Sequence, residues 1–315
     1  MSGGAPAQAM QDGAAPDRPV TDRLAPDRPV TGRPVADQAT VLARPRQRAR
    51  LPASGLVGAA ILLIFLACAL LPGWIAPYDP LEFDYVALMQ PPSWAHPFGT
   101  DNFGRDVLSR TIWAAQVDLQ IAIFATLFPA LFGSLAGCVI GYVGGWPDAL
   151  FRRLVDVIVT IPFVVLVIAI VAVLGPGLIN MYIAISAVGW IVYARLMRAE
   201  IIAQKKRDYA AAGRVMGYGS GRIIFRHLLP NAVSPILVYW MTDMSLAILL
   251  GSSLGYLGLG AQPPTAEWGV LIADGKNFMT TAWWMSIFPG IAIVLAGTGF
   301  SLFGDGLAAW LRRRA

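Results

Sequence analysis

VDVIVTIPFVVLVIAIVAVLGPGLIN, residues 155–180, joins the end of one long apolar run to the start of the next. The runs Leu154–Leu174 and Leu178–Leu196 are each about twenty residues long, the length with which a helix spans the hydrocarbon of a bilayer. Between them lies only Gly175-Pro176-Gly177, and glycine and proline both end helices. The stretch therefore predicts two transmembrane helices joined by a tight turn.

Four more apolar runs of this kind lie on either side of that stretch. They are Leu56–Ile75, Val117–Val143, Ser234–Leu257 and Trp284–Leu307. Only 14% of the chain is charged and 56% is hydrophobic, whereas about a quarter of a soluble domain is charged. We therefore expect an all-α, polytopic membrane protein, with six transmembrane helices in a domain that covers residues 51–315.

The distribution of Lys and Arg predicts the orientation of these helices. With the N-terminus in the cytoplasm, 21 of the 24 Lys and Arg residues fall on the cytoplasmic side. Only Arg105, Arg110 and Lys276 then lie outside. Cytoplasmic loops of membrane proteins carry this excess of positive charge, so we predict that both termini are cytoplasmic.

Residues 1–50 differ in composition from the rest of the chain. APDRPVTDR at residues 15–23 recurs as APDRPVTGR at residues 25–33, and large apolar residues are scarce. Such a segment buries too little surface to offset the entropy of ordering it. We expect a disordered cytoplasmic tail.

The sequence offers no residues for catalysis, metal binding or nucleotide binding. Its two cysteines, Cys68 and Cys138, lie in apolar runs, and its two histidines lack neighbours with ligand spacing. No phosphate-binding Gly-x-x-x-x-Gly-Lys-Ser/Thr loop occurs. We expect no cofactor and no enzymatic activity in this chain.

The predicted cytoplasmic loop 197–231 contains RDYAAAGRVMGYGSGRIIFRHLLP, residues 207–230. Its residue types predict two short helices, Glu200–Val215 and Arg222–Leu229, with a glycine elbow between them and an end at Pro230. An amphipathic loop of this kind rests on anionic headgroups or docks on a protein, and the residues alone leave both readings open. The run of small residues at 210–213 favours a protein partner.

This loop resembles the EAA motif of ABC-importer permeases. Ala211-Ala212-Gly213 stands at the Glu-Ala-Ala, Gly217 at the later glycine, and His227-Leu228-Leu229-Pro230 at the Ile-x-Leu-Pro. The spacing is kept, while Ala211, Gly213 and His227 depart from the family pattern. In that family the loop is the coupling helix, which docks on a cytoplasmic ATPase. The resemblance assigns this role to Asp208, Tyr209, Ala211, Ala212, Gly213, Gly217, Arg222, Phe225, Arg226, His227, Leu229 and Pro230.

The predicted extracytoplasmic loop 78–116 contains HPFGTDNFGRDVLSR, residues 96–110. Its mixed charges fit a solvated surface cap or a ligand site, with Asp106 and Arg110 as an i, i+4 pair if this part is helical. The string resembles a signature of the dipeptide/oligopeptide branch of ABC importers, as does GYLGLGAQPPTAEWG at residues 255–269. The signature residues are Gly99, Asp101, Gly104, Arg105, Asp106 and Arg110.

The resemblance covers about residues 55–312 and is to the second permease subunit of such importers. It implies the type I importer permease fold in a bacterial plasma membrane. It also implies a homologous second permease, two cytoplasmic ATPases that carry ATP and Mg²⁺, and an extracytoplasmic binding protein. The substrate class would include dipeptides, oligopeptides, nickel chelates and glutathione. Because this chain has no nucleotide-binding motif, the energy for transport would come from those ATPases. The alternative is a secondary transporter or channel that works without ATPase partners.

Asp243 is the acidic residue closest to the middle of a predicted span. A charge at such a depth is costly, and it usually faces a bundle interior or a water-filled path. Asp243 therefore either lines the substrate pathway, where it would attract an amine, or forms a hydrogen bond between helices. Asp118 and Asp305 lie nearer span ends, where we expect interfacial positions.

Overall fold

The computed structural model describes residues 51–313. The predicted tail, residues 1–50, lies outside the described residues. The described part contains eleven α-helices, together with a π-helical segment at Ile223–Leu228 and a 3₁₀ turn at Lys276–Phe278. The helices are α1 Ala53–Leu70, α2 Pro72–Ile75, α3 Val107–Val143, α4 Gly145–Val159, α5 Phe163–Leu174, α6 Leu178–Gln204, α7 Asp208–Val215, α8 Ser220–Arg222, α9 Leu229–Tyr256, α10 Trp268–Gly275 and α11 Trp284–Arg312.

Helices α3 and α6 form the most extensive helix pair of the bundle. On α3, Gly133, Gly137 and Gly141 recur every four residues and therefore share one face. A Cβ on Gly141 would lie 2.9 Å from the carbonyl oxygen of Arg198 on α6. Without side chains on this face the two backbones come into direct contact, as small residues allow in membrane helices.

The first and last long helices also pack backbone to backbone. A Cβ on Gly55 of α1 would lie 2.9 Å from Cα of Gly306 on α11, and one on Gly58 would lie 2.8 Å from the carbonyl oxygen of Gly299. This contact is more extensive than the contact of α1 with α3. The ends of the described chain are therefore held together inside the bundle.

Five single helices are long and apolar enough to span a membrane, and a bent pair makes a sixth candidate. The pair is α4 and α5, whose axes differ by 81° across a break that contains Pro162. The predicted span Leu154–Leu174 is therefore interrupted at Pro162, since proline lacks the N–H group that would continue the hydrogen bonds of the helix. The predicted turn at Gly175-Pro176-Gly177 is present between α5 and α6.

Two helices extend well into the predicted loops. Helix α3 begins at Val107, ten residues before the apolar run, so the predicted loop 78–116 ends at Asp106. Helix α6 continues to Gln204, into the predicted loop 197–231. Polar residues continue both helices here because, outside the hydrocarbon, a helix needs no apolar sequence.

Candidate functional site

The segment 205–230 folds as one compact unit at the predicted cytoplasmic end. After α6 ends, α7 runs from Asp208 to Val215, and a turn leads into α8 and the π segment. From Ser220 the helical backbone continues without a break to Tyr256. Two predictions are therefore corrected. The first helix is interrupted between Gln204 and Asp208, and the second does not end at Pro230, because proline is tolerated within the first turn of α9.

Gly217 alone makes the turn between the two helices. Its φ is +74°, which favours glycine, whereas Gly219 has a φ of −62°. A Cβ on Gly217 would meet no atom within 4 Å, so conformation and not space requires glycine here. At Gly213 the reverse holds, since a Cβ would make ordinary contacts at 3.6 Å with Tyr218 and 3.7 Å with Ile223. The alanine of the family pattern would fit at Gly213.

The inner face of this segment packs on the bundle. Ala210, Ile223, Ile224 and Leu228 are buried with residues of α3, α6 and α9, among them the fully buried Tyr193. At the side, Lys205 donates from Nζ to the carbonyl oxygen of Tyr142 at 2.6 Å, which ties the end of α6 to that of α3. The segment is therefore attached to the transmembrane helices and does not hang free.

The outer face of the segment is exposed and partly apolar. Most of the predicted coupling residues lie on it or at its edge, while only Gly213 is buried. The exposed residues are Asp208, Tyr209, Ala212, Gly217, Arg222, Phe225, Arg226 and Pro230, and the half-buried ones are Ala211, His227 and Leu229. Phe225 is 55% exposed, Met216 60% and Val215 88%, so large apolar side chains project from this end.

His227, which departs from the family pattern, turns inward. Its ring stacks on Tyr218 with centroids 5.7 Å apart and an interplanar angle of 13°. Its Nε2 atom is buried without a hydrogen-bond partner among the residues that the structure describes. The guanidinium of Arg222 covers the same tyrosine ring at 5.1 Å. His227 therefore fills the apolar position with a flat ring and makes no polar contact through Nε2.

Asp243 lies on α9 beside a cavity of about 420 Å³ between α5, α6 and α9. It accepts a hydrogen bond from the hydroxyl of Tyr193 on α6 at 2.7 Å. The other walls are mostly apolar, with Tyr239 and Ser253 as further polar groups. Asp243 thus forms an interhelical hydrogen bond and also lies at the wall of a cavity.

The six signature residues of the predicted extracytoplasmic loop lie together in one buried cluster. Asp101 accepts from Nε of Arg105 and from Nη1 of Arg110, both at 2.7 Å, and from the backbone N–H of Phe103 and Arg105. Arg110 also donates to Asp274 of α10 at 3.3 Å. Asp101 is 2% exposed and Arg110 3%. The expectation of a solvated surface cap was therefore wrong, because these charges satisfy one another away from water.

Asp106 caps α3 instead of pairing with Arg110. It accepts from the backbone N–H and the hydroxyl of Ser109, each at 2.7 Å, and lies 2.9 Å from Nδ1 of His96. The predicted i, i+4 pair was therefore wrong, since the N-cap position directs the carboxylate to the free N–H groups of the first turn. Gly99 and Gly104 have φ of +71° and +77° and provide the turns of this loop.

Two acidic residues of the interior were missed or misplaced from the sequence. Asp118, expected at an interface, is fully buried and accepts from the backbone N–H of Trp268 at 3.0 Å and from Ser252 at 3.2 Å. Glu267 is also fully buried and caps α10 by accepting from Gly269 at 2.8 Å and Val270 at 3.0 Å. An acidic residue directly before a helix start was the signal for Glu267.

The surroundings of Glu267 shift the pKa of its carboxyl group. Burial raises the pKa of the Glu267 carboxyl, although the backbone hydrogen bonds from Gly269 and Val270 and the contact with Asp118 lower it. The side chain lies directly against Gly255, where a Cβ would overlap it. Together the two carboxyls fasten the loop after α9 to α3. Within residues 51–313 no group of three or more His, Cys, Asp or Glu could hold a metal ion.

Comparisons with known proteins agree with this architecture. The family model described as binding-protein-dependent transport system inner membrane component matches residues 131–315. The chain is 43% identical over 257 residues to the dipeptide transport system permease protein DppC of Escherichia coli (strain K12), covering 80% of this chain and 86% of that protein.

Two further relatives extend this similarity. The di/tripeptide transport system permease protein DppC of Pseudomonas aeruginosa (strain UCBPP-PA14) is 41% identical over 256 residues, with 79% of this chain and 84% of that protein covered. The glutathione transport system permease protein GsiD of Escherichia coli O6:K15:H31 (strain 536 / UPEC) is 40% identical over 253 residues, with 80% and 84% covered.

These matches cover the helices that form the cavity, the segment 205–230 and α10 and α11. They agree with the resemblance that the sequence motifs carry. The chain therefore belongs to the family of binding-protein-dependent transport system inner membrane components, as a multi-pass permease subunit of an ABC importer in the bacterial plasma membrane.

Proposed function

We propose that the chain forms half of the translocation pathway for di- or oligopeptides or related small solutes. A homologous second permease would supply the other half. Two cytoplasmic ATPases would bind ATP and Mg²⁺, and an extracytoplasmic binding protein would deliver the substrate. The substrate class is supported by the relatives, which are named as transport proteins for dipeptides, di/tripeptides and glutathione. Both termini would face the cytoplasm, as the position of 21 of the 24 Lys and Arg residues favours.

The single observation that carries this proposal is the continuous helical run from Ser220 to Tyr256. It begins within the segment 205–230, here called the coupling segment, and passes the cavity at Asp243. Pro230 and Asp243 are thirteen residues apart, or about 20 Å at 1.5 Å per residue. An ATPase that moves Phe225 would therefore move the cavity wall through one stiff element.

The outer face of the coupling segment supports an ATPase as its partner. Exposed apolar side chains such as Phe225 lie beside Arg222 and Arg226. A partner groove with an apolar floor and acidic rim would complement this face, because aromatic residues and arginine are enriched at protein interfaces. The inner face, packed on α3, α6 and α9, would transmit the motion.

Asp243 would attract the amine of a substrate in the cavity. Its hydrogen bond from Tyr193 leaves carboxylate capacity for a second donor, since an ionised carboxylate has about four acceptor positions. The mostly apolar walls would strengthen this attraction by excluding water. An amine-bearing peptide would then be preferred over a neutral solute of equal size.

Uptake by the assembled importer in proteoliposomes tests both parts of the proposal. The chain alone should move no substrate, whereas the complex with its ATPases and binding protein should transport on addition of ATP. Asp243→Asn keeps an oxygen for the Tyr193 hydrogen bond but removes the charge, so uptake of cationic substrates should fall more than that of neutral ones. Equal uptake of both classes by this variant would remove Asp243 from the pathway, and transport by the chain alone would overturn the ATP-driven function.

A further inference from the structure

A basic pocket lies between α4 and α6, away from the cavity at Asp243. Its volume is about 540 Å³. Four arginines line it: Arg152, Arg153, Arg195 and Arg198. They lie at the end of the bundle that the Lys and Arg distribution assigns to the cytoplasm, where the lipid leaflet is negatively charged.

The pocket retains positive charge after its ion pairs are counted. Arg198 holds Asp148 with two donors, one of them at 2.8 Å, and Arg152 lies 3.4 Å from the same carboxylate. Asp156 is the acidic residue that lines the pocket, while Asp148 lies next to it and pairs with two of its arginines. Four arginines against two carboxylates leave two unbalanced cations. Within residues 51–313, Arg153 and Arg195 form no ion pair, and both are exposed.

Helix α4 carries three different faces around this pocket. Its buried face, with Phe151 and Val155, packs on Ile191 and Ala194 of α6. A second face carries the basic residues. The third is an exposed apolar stripe at intervals of four, four and three residues, which is one side of a helix. The stripe consists of Trp146 at 75% exposed, Leu150 at 52%, Leu154 at 49% and Val157 at 69%.

The 81° bend between α4 and α5 bears on how the faces of α4 are oriented relative to the membrane. Because the axes of α4 and α5 differ by 81°, the two helices cannot both lie along the bilayer normal, and the exposed apolar stripe of α4 fits a helix that lies along the membrane surface. An interfacial helix of this kind buries its apolar side among the acyl chains and keeps its cationic side at the headgroups. The arginines and the stripe would then contact the headgroup and the chains of the same lipid layer.

We infer that this pocket binds the phosphate of an anionic phospholipid of the cytoplasmic leaflet. Guanidinium groups match phosphate oxygens with two parallel hydrogen bonds, and Arg153 and Arg195 have donors that no carboxylate occupies. The lipid is favoured over free phosphate because its acyl chains can cover the adjacent apolar stripe, whereas an inorganic ion cannot. The inference uses the proposed orientation but is independent of the transported substrate.

The experiment places the full chain in phosphatidylcholine nanodiscs that contain a trace of spin-labelled lipid. Electron paramagnetic resonance measures how much of the label the protein immobilises. We expect labelled phosphatidylglycerol to be immobilised more than labelled phosphatidylcholine. The Arg153→Gln/Arg195→Gln variant should weaken this preference roughly fivefold for each arginine removed. The matched control, Lys206→Gln/Arg207→Gln, removes two exposed charges at the same end outside the pocket and should keep the preference.

Four results would overturn the inference. The wild type could fail to distinguish the two labelled lipids, or the control could lose the preference as fully as the pocket variant. Excess inorganic phosphate could displace the labelled phosphatidylglycerol, which would identify a free-anion site. Finally, assembly with the second permease could abolish the preference, which would identify this face as a subunit interface. Retention by the assembled wild type, together with loss in the assembled pocket variant, would support it.

Discussion

The two polar segments at opposite ends of the bundle are alike in sequence and opposite in structure. Residues 96–110 and residues 207–230 both interrupt apolar sequence with glycines and charges. The first folds inward, so that Asp101 and Arg110 are buried and bonded to each other. The second presents Phe225 and Arg226 outward. The comparison teaches that polarity marks a segment that leaves the membrane, while the partners of its charges decide whether it is scaffold or contact surface.

The largest effect should follow from breaking the buried ion pairs that Asp101 forms with Arg105 and Arg110. Asp101→Asn removes the charge that two buried arginines share, and loss of one partner from a buried ionic group costs about 3–5 kcal/mol. The thermal unfolding midpoint of the detergent-solubilised permease should fall sharply. Asp208→Asn, the exposed counterpart on the coupling segment, should leave it unchanged. Equal midpoints for the two variants would show that these buried ion pairs contribute no stability.

The next effect should appear in binding and not in stability. Phe225→Ala removes an exposed aromatic side chain of the coupling segment and should weaken ATPase affinity by about 2 kcal/mol, or roughly 30-fold. The unfolding midpoint should stay close to wild type because Phe225 is 55% exposed. Binding of the ATPase to the solubilised permease is measured directly. Trp94→Ala, an exposed aromatic at the other end, is the control, and an equal loss there would contradict a localised contact.

A smaller effect tests whether Gly217 is required for its backbone conformation or for lack of room for a side chain. Gly217→Ala places a Cβ at a φ of +74° and should cost about 1–2 kcal/mol. Gly219→Ala, at a φ of −62° and with equally open surroundings, should cost almost nothing. The unfolding midpoint and ATP-driven uptake of both variants check this. If the two variants behave alike, the turn at Gly217 is too loose to transmit motion.

The smallest effect concerns pH. Because burial raises the pKa of Glu267 in the folded protein, its stabilising contribution is complete below the unfolded pKa and is lost as pH rises through the folded value. The unfolding midpoint of the wild type should therefore decline over that interval. Glu267→Gln should flatten the decline, while Glu82→Gln, an exposed counterpart, should leave it in place. An unaltered decline in Glu267→Gln would assign the pH dependence to another group.

The number of spans and the helical character of the fold could be predicted because hydrophobic length is a local property. The turn at Gly175-Pro176-Gly177 could be predicted for the same reason. The bend at Pro162 could have been read from the proline itself, but the surrounding apolar residues suggested one uninterrupted span over Leu154–Leu174. Local composition was thus reliable for the existence of helices and less so for their direction.

The burial of the signature charges could not be predicted in this way. Arg110 finds Asp274 across 164 positions of sequence, and Asp118 finds Trp268 across 150. No local pattern encodes such partners. The sequence predicted that Pro230 ends the second short helix and also starts the next span. The helix instead continues without a break, because proline is accommodated in the first turn of α9.

The backbone contact between α1 and α11 has a consequence for biosynthesis. The chain is made from the N-terminus, so α1 enters the bilayer first and its main partner surface, around Gly299 and Gly306, enters last. Until α11 has been synthesised, the glycine face of α1 must be covered by lipid or by an insertion factor. Completion of the final helix then closes the subunit, and a chain truncated before α11 would leave its first helix without its principal neighbour.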